Sequence, residues 1–103
     1  MFVRLWSCRA RLEKAGGYVK HFQENVYPQL HRIDGHRGAY VLQRQLGGEA
    51  EILVLTLWDS MMAIHTFAGD DPNVAVIEDE AKALLSHFDL SVKHFEVVLE
   101  VRS

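Results

Sequence analysis

The chain of 103 residues is poor in cysteine and proline and contains no long hydrophobic run. Its single cysteine, Cys8, excludes both an intramolecular disulfide framework and a zinc site built from cysteines. The longest apolar run, 52–58, is far shorter than the roughly 20 residues that a transmembrane helix needs. The amino-terminal residues lack the pattern of a signal peptide. These features predict a cytoplasmic protein with no membrane partner.

Clustered charge is also missing. The net charge is −3, and no basic patch predicts a nucleic-acid partner. The glycine pairs at 16–17 and 47–48 are too isolated to cradle a phosphate. The six histidines form no His-x-His or His-x-x-x-His pair. We therefore predict no metal site and assign no cofactor.

The most informative segment is a predicted strand over 50–58. Successive side chains of a strand point to opposite faces of its sheet. One face carries Ile52, Val54, Thr56 and Trp58, and the other carries Leu53, Leu55 and Leu57. Both faces are apolar, so both must be covered. A chain this short has helices for one face only, and we expect a second copy of the chain to cover the other.

Hydrophobic periodicity predicts the remaining elements. The predicted strands are 2–9, 37–46, 50–58 and 91–101, and the main helices are 13–27, 60–68 and 78–87. Pro28 disfavours a helical conformation in the residue before it, so the first helix should end near Tyr27. Gly69 should end the second helix. Asp71 and Pro72 predict the start of an accessory helical piece.

This order of elements predicts one α+β domain over 1–103. Two βαβ halves joined by a hairpin form a ferredoxin-like βαββαβ sandwich, with a four-stranded antiparallel sheet and helices on one face. The bare face of the sheet again indicates a homodimer, in which two sheets close into a dimeric α+β barrel.

Three segments of the sequence resemble the antibiotic-biosynthesis-monooxygenase-like domains of the dimeric α+β barrel superfamily. They are 56–60, 67–71 and 92–97, and the resemblance extends over nearly the whole chain. It implies a homodimer with a pocket between sheet and helices in each subunit. Some family members oxidise polyketide-type aromatic compounds with O₂ and no cofactor, others bind and degrade haem, and many have no known activity.

The resemblance carries over to individual residues only in part. The tryptophan that ends the third strand in active members corresponds to Trp58. Their first-strand asparagine has no counterpart, because 2–9 contains no Asn. The histidine of the haem-degrading members corresponds to a position near Ala68, and His65 is the nearest histidine.

These observations predict two catalytic and four substrate-binding residues. Trp58 would orient an aromatic ring, and His94 would be a general base assisted by Glu96, with His36 as the alternative base. The predicted substrate-binding residues are Arg4, Trp6, Tyr40 and His65. Arg4 would bind a carboxylate or phenolate, because a guanidinium makes paired hydrogen bonds to planar anions. Core packing for the tryptophans, an interface role for Arg4 and a solvated face for His94 are the structural alternatives.

Three functions remain open. The first is a cofactor-independent monooxygenase acting with O₂ on a small aromatic or quinol-like compound, whose carbanion reacts with oxygen once the protein deprotonates, orients and desolvates it. The second is a non-catalytic or stress-related barrel that binds a small apolar or aromatic molecule. The third is a haem-binding or haem-degrading protein. The missing asparagine counts against both enzymes, and Trp58 counts against a purely structural role.

Overall fold

The computed structural model describes residues 1–103 as an antiparallel sheet with helices on one face. In chain order the elements are β1 (Phe2–Arg11), α1 (Leu12–His21), a π-helical turn (Phe22–Val26), α2 (Tyr27–His31), β2 (His36–Leu46), β3 (Glu49–Trp58), α3 (Met61–Ala68), α4 (Asp79–Leu84), β4 (His87–Phe88) and β5 (Lys93–Glu96). The strand order is β2-β3-β1-β4, and β5 also pairs with β1. This confirms the predicted ferredoxin-like α+β fold. No helix is long and apolar enough to cross a membrane.

The central strands β1 and β3 pair along their full lengths, from Phe2 opposite Trp58 to Arg11 opposite Glu49. Alternate residues of β3 are buried under the helices, as the sequence predicts. We call the opposite side of the sheet the open face. By strand register its apolar side chains include Val3, Leu5, Tyr40, Leu42, Leu53, Leu55, Leu57 and Phe95. No helix of the chain covers them.

The first helix continues past the predicted end at Tyr27, so that boundary is wrong. Its α-helical hydrogen bonds give way to the π-helical turn, in which the Tyr27 N–H donates to the carbonyl of Phe22, five residues earlier. Pro28 then falls in the first turn of α2, where a missing N–H is tolerated. The wider turn therefore lets the helical path run on to His31.

The predicted helical piece at Asp71 and Pro72 is also wrong. A carboxylate oxygen of Asp71 accepts from the Asn73 N–H at 3.1 Å, and its carbonyl accepts from the Val74 N–H at 3.3 Å. These bonds close a turn, and residues 69–78 form no helix. We call 69–78 the connecting segment.

The predicted strand 91–101 and helix 78–87 are both shorter in the structure. Only Lys93–Glu96 forms a strand, because β1 begins at Phe2 and supplies no partner beyond it. The last backbone bond at this end runs from the Val97 N–H to the Met1 carbonyl at 2.8 Å. The helix ends at Leu84, since the chain turns to pair His87 with Arg9 of β1.

A tight approach between the turn before β2 and α3 gives a first prediction. Gly35 has a φ of +95°, and a Cβ built there would lie 2.8 Å from the Cβ of Ala63. We expect Gly35→Ala to lower the free energy of unfolding by about 2 kcal/mol through backbone strain and overpacking. Gly16 is a matched control, because its position in α1 leaves a Cβ in open space. Gly16→Ala should raise the same free energy by about 0.5–1 kcal/mol. Urea unfolding at fixed protein concentration measures both, and an unchanged or stabilised Gly35→Ala variant would contradict the packing.

Candidate functional site

A cavity of about 50 Å³ lies between the sheet and the helical layer. Most of its wall is apolar, and four aromatic side chains contribute: Trp6, Tyr18, Phe22 and Phe67. Its polar lining residues are Arg4, Thr56 and Glu78. The volume has room for about four water molecules, so a larger ligand needs a wall to move. The connecting segment, which supplies Val76, Ile77 and Glu78, is the wall without regular secondary structure.

Strand register explains how these residues meet. Arg4 and Trp6 lie two residues apart on β1, so they share the helix-facing side of the sheet. They pair with Thr56 and Val54 of β3, which also line the cavity. Phe67 comes from α3, whose start is fixed by the Ser60 hydroxyl accepting from the Ala63 N–H at 3.2 Å.

Arg4 is the only cationic side chain in the cavity wall, and only 5% of it is exposed. Its guanidinium donates to the carbonyl oxygens of Pro72 and Val74, the latter at 3.1 Å. It also lies over the ring of Phe67, 5.7 Å from the ring centre. Burial lowers the pKa of Arg4 from 12.5 to about 10, which leaves the group protonated at neutral pH. No carboxylate forms a salt bridge with it.

His94 of β5 lies beside this cation, because β1 and β5 pair Arg4 directly with His94. Its Nε2 is 3.0 Å from Nη1 of Arg4. A guanidinium can only donate, so Nε2 is the acceptor and the neutral ring carries its hydrogen on Nδ1. Burial, followed by the charges of Arg4 and His65, lowers the pKa of His94. The predicted assistance from Glu96 is wrong, since Glu96 is exposed and makes no hydrogen bond to the ring.

Trp58 is fully buried, yet it lies behind the cavity wall and does not line it. Its indole N–H donates to the hydroxyl of Thr56 at 2.8 Å. Its ring centre lies 6.1 Å from that of Phe67. Trp58 thus supports two residues of the wall, and the predicted direct contact with a ligand would require one of them to move.

His94 does not line the cavity, and two further predicted site residues lie outside it. Tyr40 is on the open face, opposite Leu55, and is 59% exposed, because strand alternation turns it away from the helices. His65 is exposed near the end of α3, with Nδ1 3.0 Å from the Gly69 carbonyl oxygen.

The alternative base, His36, packs edge-on against the ring of Trp58, 5.0 Å between ring centres. Its Nε2 is buried and has no hydrogen-bond partner. Burial, followed by the charge of His31, lowers the pKa of His36. No group of three or more His, Cys, Asp or Glu side chains is placed to hold a metal ion.

Sequence reasoning missed the helical side of the cavity. Tyr18 and Phe22 line it from the first helix, and their spacing of four residues was the available signal. Glu78 of the wall lies 3.4 Å from Nε2 of the buried His21. No sequence pattern connects His21 with Glu78, because their contact depends on how the connecting segment folds over α1.

No family model matches the sequence, and no curated protein matches it. Solved structures match it over its whole length. A proposed antibiotic biosynthesis monooxygenase from Bacillus cereus has a TM-score of 0.68 and 16% identity, covering 100% of this chain and 98% of that chain.

Two further structures were solved with ligands. MhuD, a haem degrader from Mycobacterium tuberculosis with two haems in its active site, has a TM-score of 0.63 and 23% identity, covering 99% of this chain and 100% of that one. The monooxygenase ActVA-Orf6 of Streptomyces coelicolor, bound to nanaomycin D, has a TM-score of 0.64 and 15% identity, covering 99% and 92%. This chain has the antibiotic-biosynthesis-monooxygenase-like fold. The resemblance inferred from the sequence is thereby confirmed at the level of the fold.

Within this monooxygenase-like fold, the Arg4–His94 contact gives a prediction about pH. His94 should titrate below the ordinary histidine pKa of 6.5, and Arg4→Met should move its pKa back towards that value. The unfolded chain then binds more protons below about pH 6.5, so the free energy of unfolding should fall as the pH drops through that range. NMR titration of the ring protons measures the shift directly. Arg32→Met, which removes an exposed arginine, should leave the pKa of His94 unchanged. A His94 pKa at or above 6.5 would contradict the buried contact.

Proposed function

We propose that this chain is a cofactor-independent monooxygenase that uses O₂ to oxidise a small aromatic or quinol-like compound. The cavity carries this proposal, because its wall combines aromatic side chains with a buried cation, and a neutral histidine lies against that cation. The match to the ActVA-Orf6 monooxygenase with its bound nanaomycin D supports it.

The residues divide the chemistry between them. Trp6 and Phe67 would hold the ring of the substrate, with Trp58 packed behind as a positioning residue. Arg4 would stabilise the negative charge that develops on a substrate oxygen. His94 would accept the proton at Nε2 once its ring turns from Arg4 towards the substrate.

The oxidation balances without a cofactor. An anthrone that loses a proton from its CH₂ group becomes a carbanion, which reacts directly with O₂. The CH₂ becomes a carbonyl with one oxygen atom, and the other oxygen leaves as water with the two hydrogens. The protein supplies the base, the orientation and the dry surroundings.

A non-catalytic ligand-binding barrel is the second candidate. It is favoured by two observations: β1 has no asparagine, and Trp58 does not reach the cavity. The same aromatic wall would then hold a small apolar or aromatic molecule without turning it over.

Haem fits these residues poorly. The cavity of about 50 Å³ must widen even for an anthrone, and haem is a much larger molecule. No histidine lines the cavity, and the exposed His65 has Nδ1 close to the Gly69 carbonyl.

We also propose that the protein is a homodimer joined through the open face. Tyr40, Leu42 and Phe95 there are 59%, 45% and 51% exposed, and a contiguous apolar sheet face of this kind marks an interaction surface. A second copy of the same sheet would cover it and complete a barrel.

The cytoplasm is the proposed location of the protein. Burial raises the pKa of the Cys8 thiol to about 12, and this buried thiol would stay reduced there.

Oxygen consumption tests the catalytic proposal. Purified protein should consume O₂ with at least one member of a panel of anthrones and hydroquinones. His94→Gln should lower that rate about a hundredfold, since it removes the base. His87→Gln, at an exposed histidine on β4, is the matched control and should keep the rate.

Three outcomes contradict the assigned roles or the catalytic proposal itself. Unchanged turnover in a Trp58→Ala, His94→Ala double variant would overturn the assigned roles. Saturable binding of the panel without oxygen uptake would favour the binding barrel. A Soret shift with hemin, bleached by reductant, would move the assignment to haem degradation.

Light scattering after size exclusion tests the homodimer. Leu55→Arg places an unpaired charge at the centre of the open face, and we expect it to weaken dimerisation by about a hundredfold or more. Met62→Arg is the control, because Met62 lies on α3 and is 79% exposed on the helical side. A wild-type monomer at all concentrations would contradict the proposed interface.

A further inference from the structure

The charge of Arg4 has no counter-charge in the chain. Its three hydrogen-bond partners are the carbonyls of Pro72 and Val74 and the neutral ring of His94. Glu78, the one carboxylate in the cavity wall, lies against His21 on the helical side. A buried ion is normally paired, since taking a charge out of water without a partner is energetically costly. Arg4 is buried without such a partner.

From this geometry we infer that the ligand of the cavity is an aromatic compound with one carboxylate group, and that Arg4 binds this carboxylate. The inference rests on the proposed small-molecule function of the same cavity and narrows its substrate class. The aromatic wall selects the ring, and the unpaired guanidinium selects the anion.

The unused donors of Arg4 fit a carboxylate. A guanidinium has five N–H groups. Nη1 uses both of its hydrogens, on the Pro72 carbonyl and His94, and Nη2 uses one on the Val74 carbonyl. The Nε hydrogen and one Nη2 hydrogen remain without a protein acceptor. Two donors on one planar fork match the two oxygens of a carboxylate, whereas a neutral alcohol accepts less strongly.

The surroundings would strengthen this ion pair. The wall around Arg4 is mostly apolar, and little water has access to the guanidinium. Charge-assisted hydrogen bonds are stronger where water is excluded. The ring of Phe67, 5.7 Å below the guanidinium carbon, leaves the edge of the fork available while it covers one face.

A matched pair of ligands tests the inference by isothermal titration calorimetry. The probes are 2-naphthoate and 2-naphthalenemethanol, which share a ring system and differ in charge. We expect the wild-type protein to bind the naphthoate at least about tenfold more tightly, the effect of one charge-assisted bidentate contact. Arg4→Met should reduce this preference to about twofold or less, because it keeps the bulk and removes the charge.

Two variants serve as controls. Arg4→Lys keeps the charge but loses the fork, so it should show a smaller preference than wild type. Arg32→Met removes an arginine from the end of the first helical path and should keep the full preference. Circular dichroism and thermal unfolding establish that each variant is folded.

The outcomes separate this inference from the proposed function. Equal affinity of the wild-type protein for both probes, or no binding of either, overturns it without any variant. A preference that survives in folded Arg4→Met also overturns it. Selective naphthoate binding that Arg4→Met abolishes supports it, even where no aromatic acid or quinol supports oxygen uptake. In that case the carboxylate site stands and the monooxygenase proposal fails.

Discussion

The buried guanidinium of Arg4 joins parts of the chain that are far apart in sequence. It leaves β1 at the centre of the sheet, binds two carbonyls of the connecting segment and donates to a histidine of the edge strand β5. The connecting segment supplies three residues of the cavity wall and has little regular structure of its own. Backbone hydrogen bonds from Ala75 to Leu90 and from Val92 to Asn73 hold the same segment. Arg4 adds the side-chain contacts from the cavity side and places a charge in the cavity wall.

The two faces of the sheet serve different purposes, because alternate side chains of β3 point to opposite faces. Val54 and Thr56 form the floor of the cavity, while Leu53 and Leu55 point to the open face. Covering the open face would stiffen the strands that carry Arg4 and Trp6. The proposed dimer and the proposed site are therefore linked mechanically, because both depend on the central pair of strands.

Some elements of the fold can be predicted from the sequence, and others cannot. The apolar alternation of 50–58 predicts the buried strand, its two faces and the helical start at Ser60, since these follow from local periodicity and capping. The helix end predicted from Pro28 is wrong, because the π-helical turn that accommodates this proline depends on how the whole helix packs. No local sequence pattern indicates such a turn. The last strand ends early because its partner strand β1 begins at Phe2, which only the register reveals.

The site is less predictable than the fold. Strand alternation places Arg4 and Trp6 on the helix-facing side of the sheet. It does not say how close a side chain on that side comes to the cavity, and Trp58 is buried behind the cavity wall. The meeting of Arg4 with His94 depends on the pairing of the first strand with the last. The prediction of Tyr40 as a site residue was avoidable, since strand alternation alone places its side chain on the open face.

The most direct test of the central claim is a crystal structure of the protein grown with an aromatic carboxylic acid. We expect the ring between Trp6 and Phe67, the carboxylate on Nε and Nη2 of Arg4, and a connecting segment moved outward to widen the cavity. A ligand bound elsewhere, with the cavity closed and Arg4 unchanged, would contradict this claim.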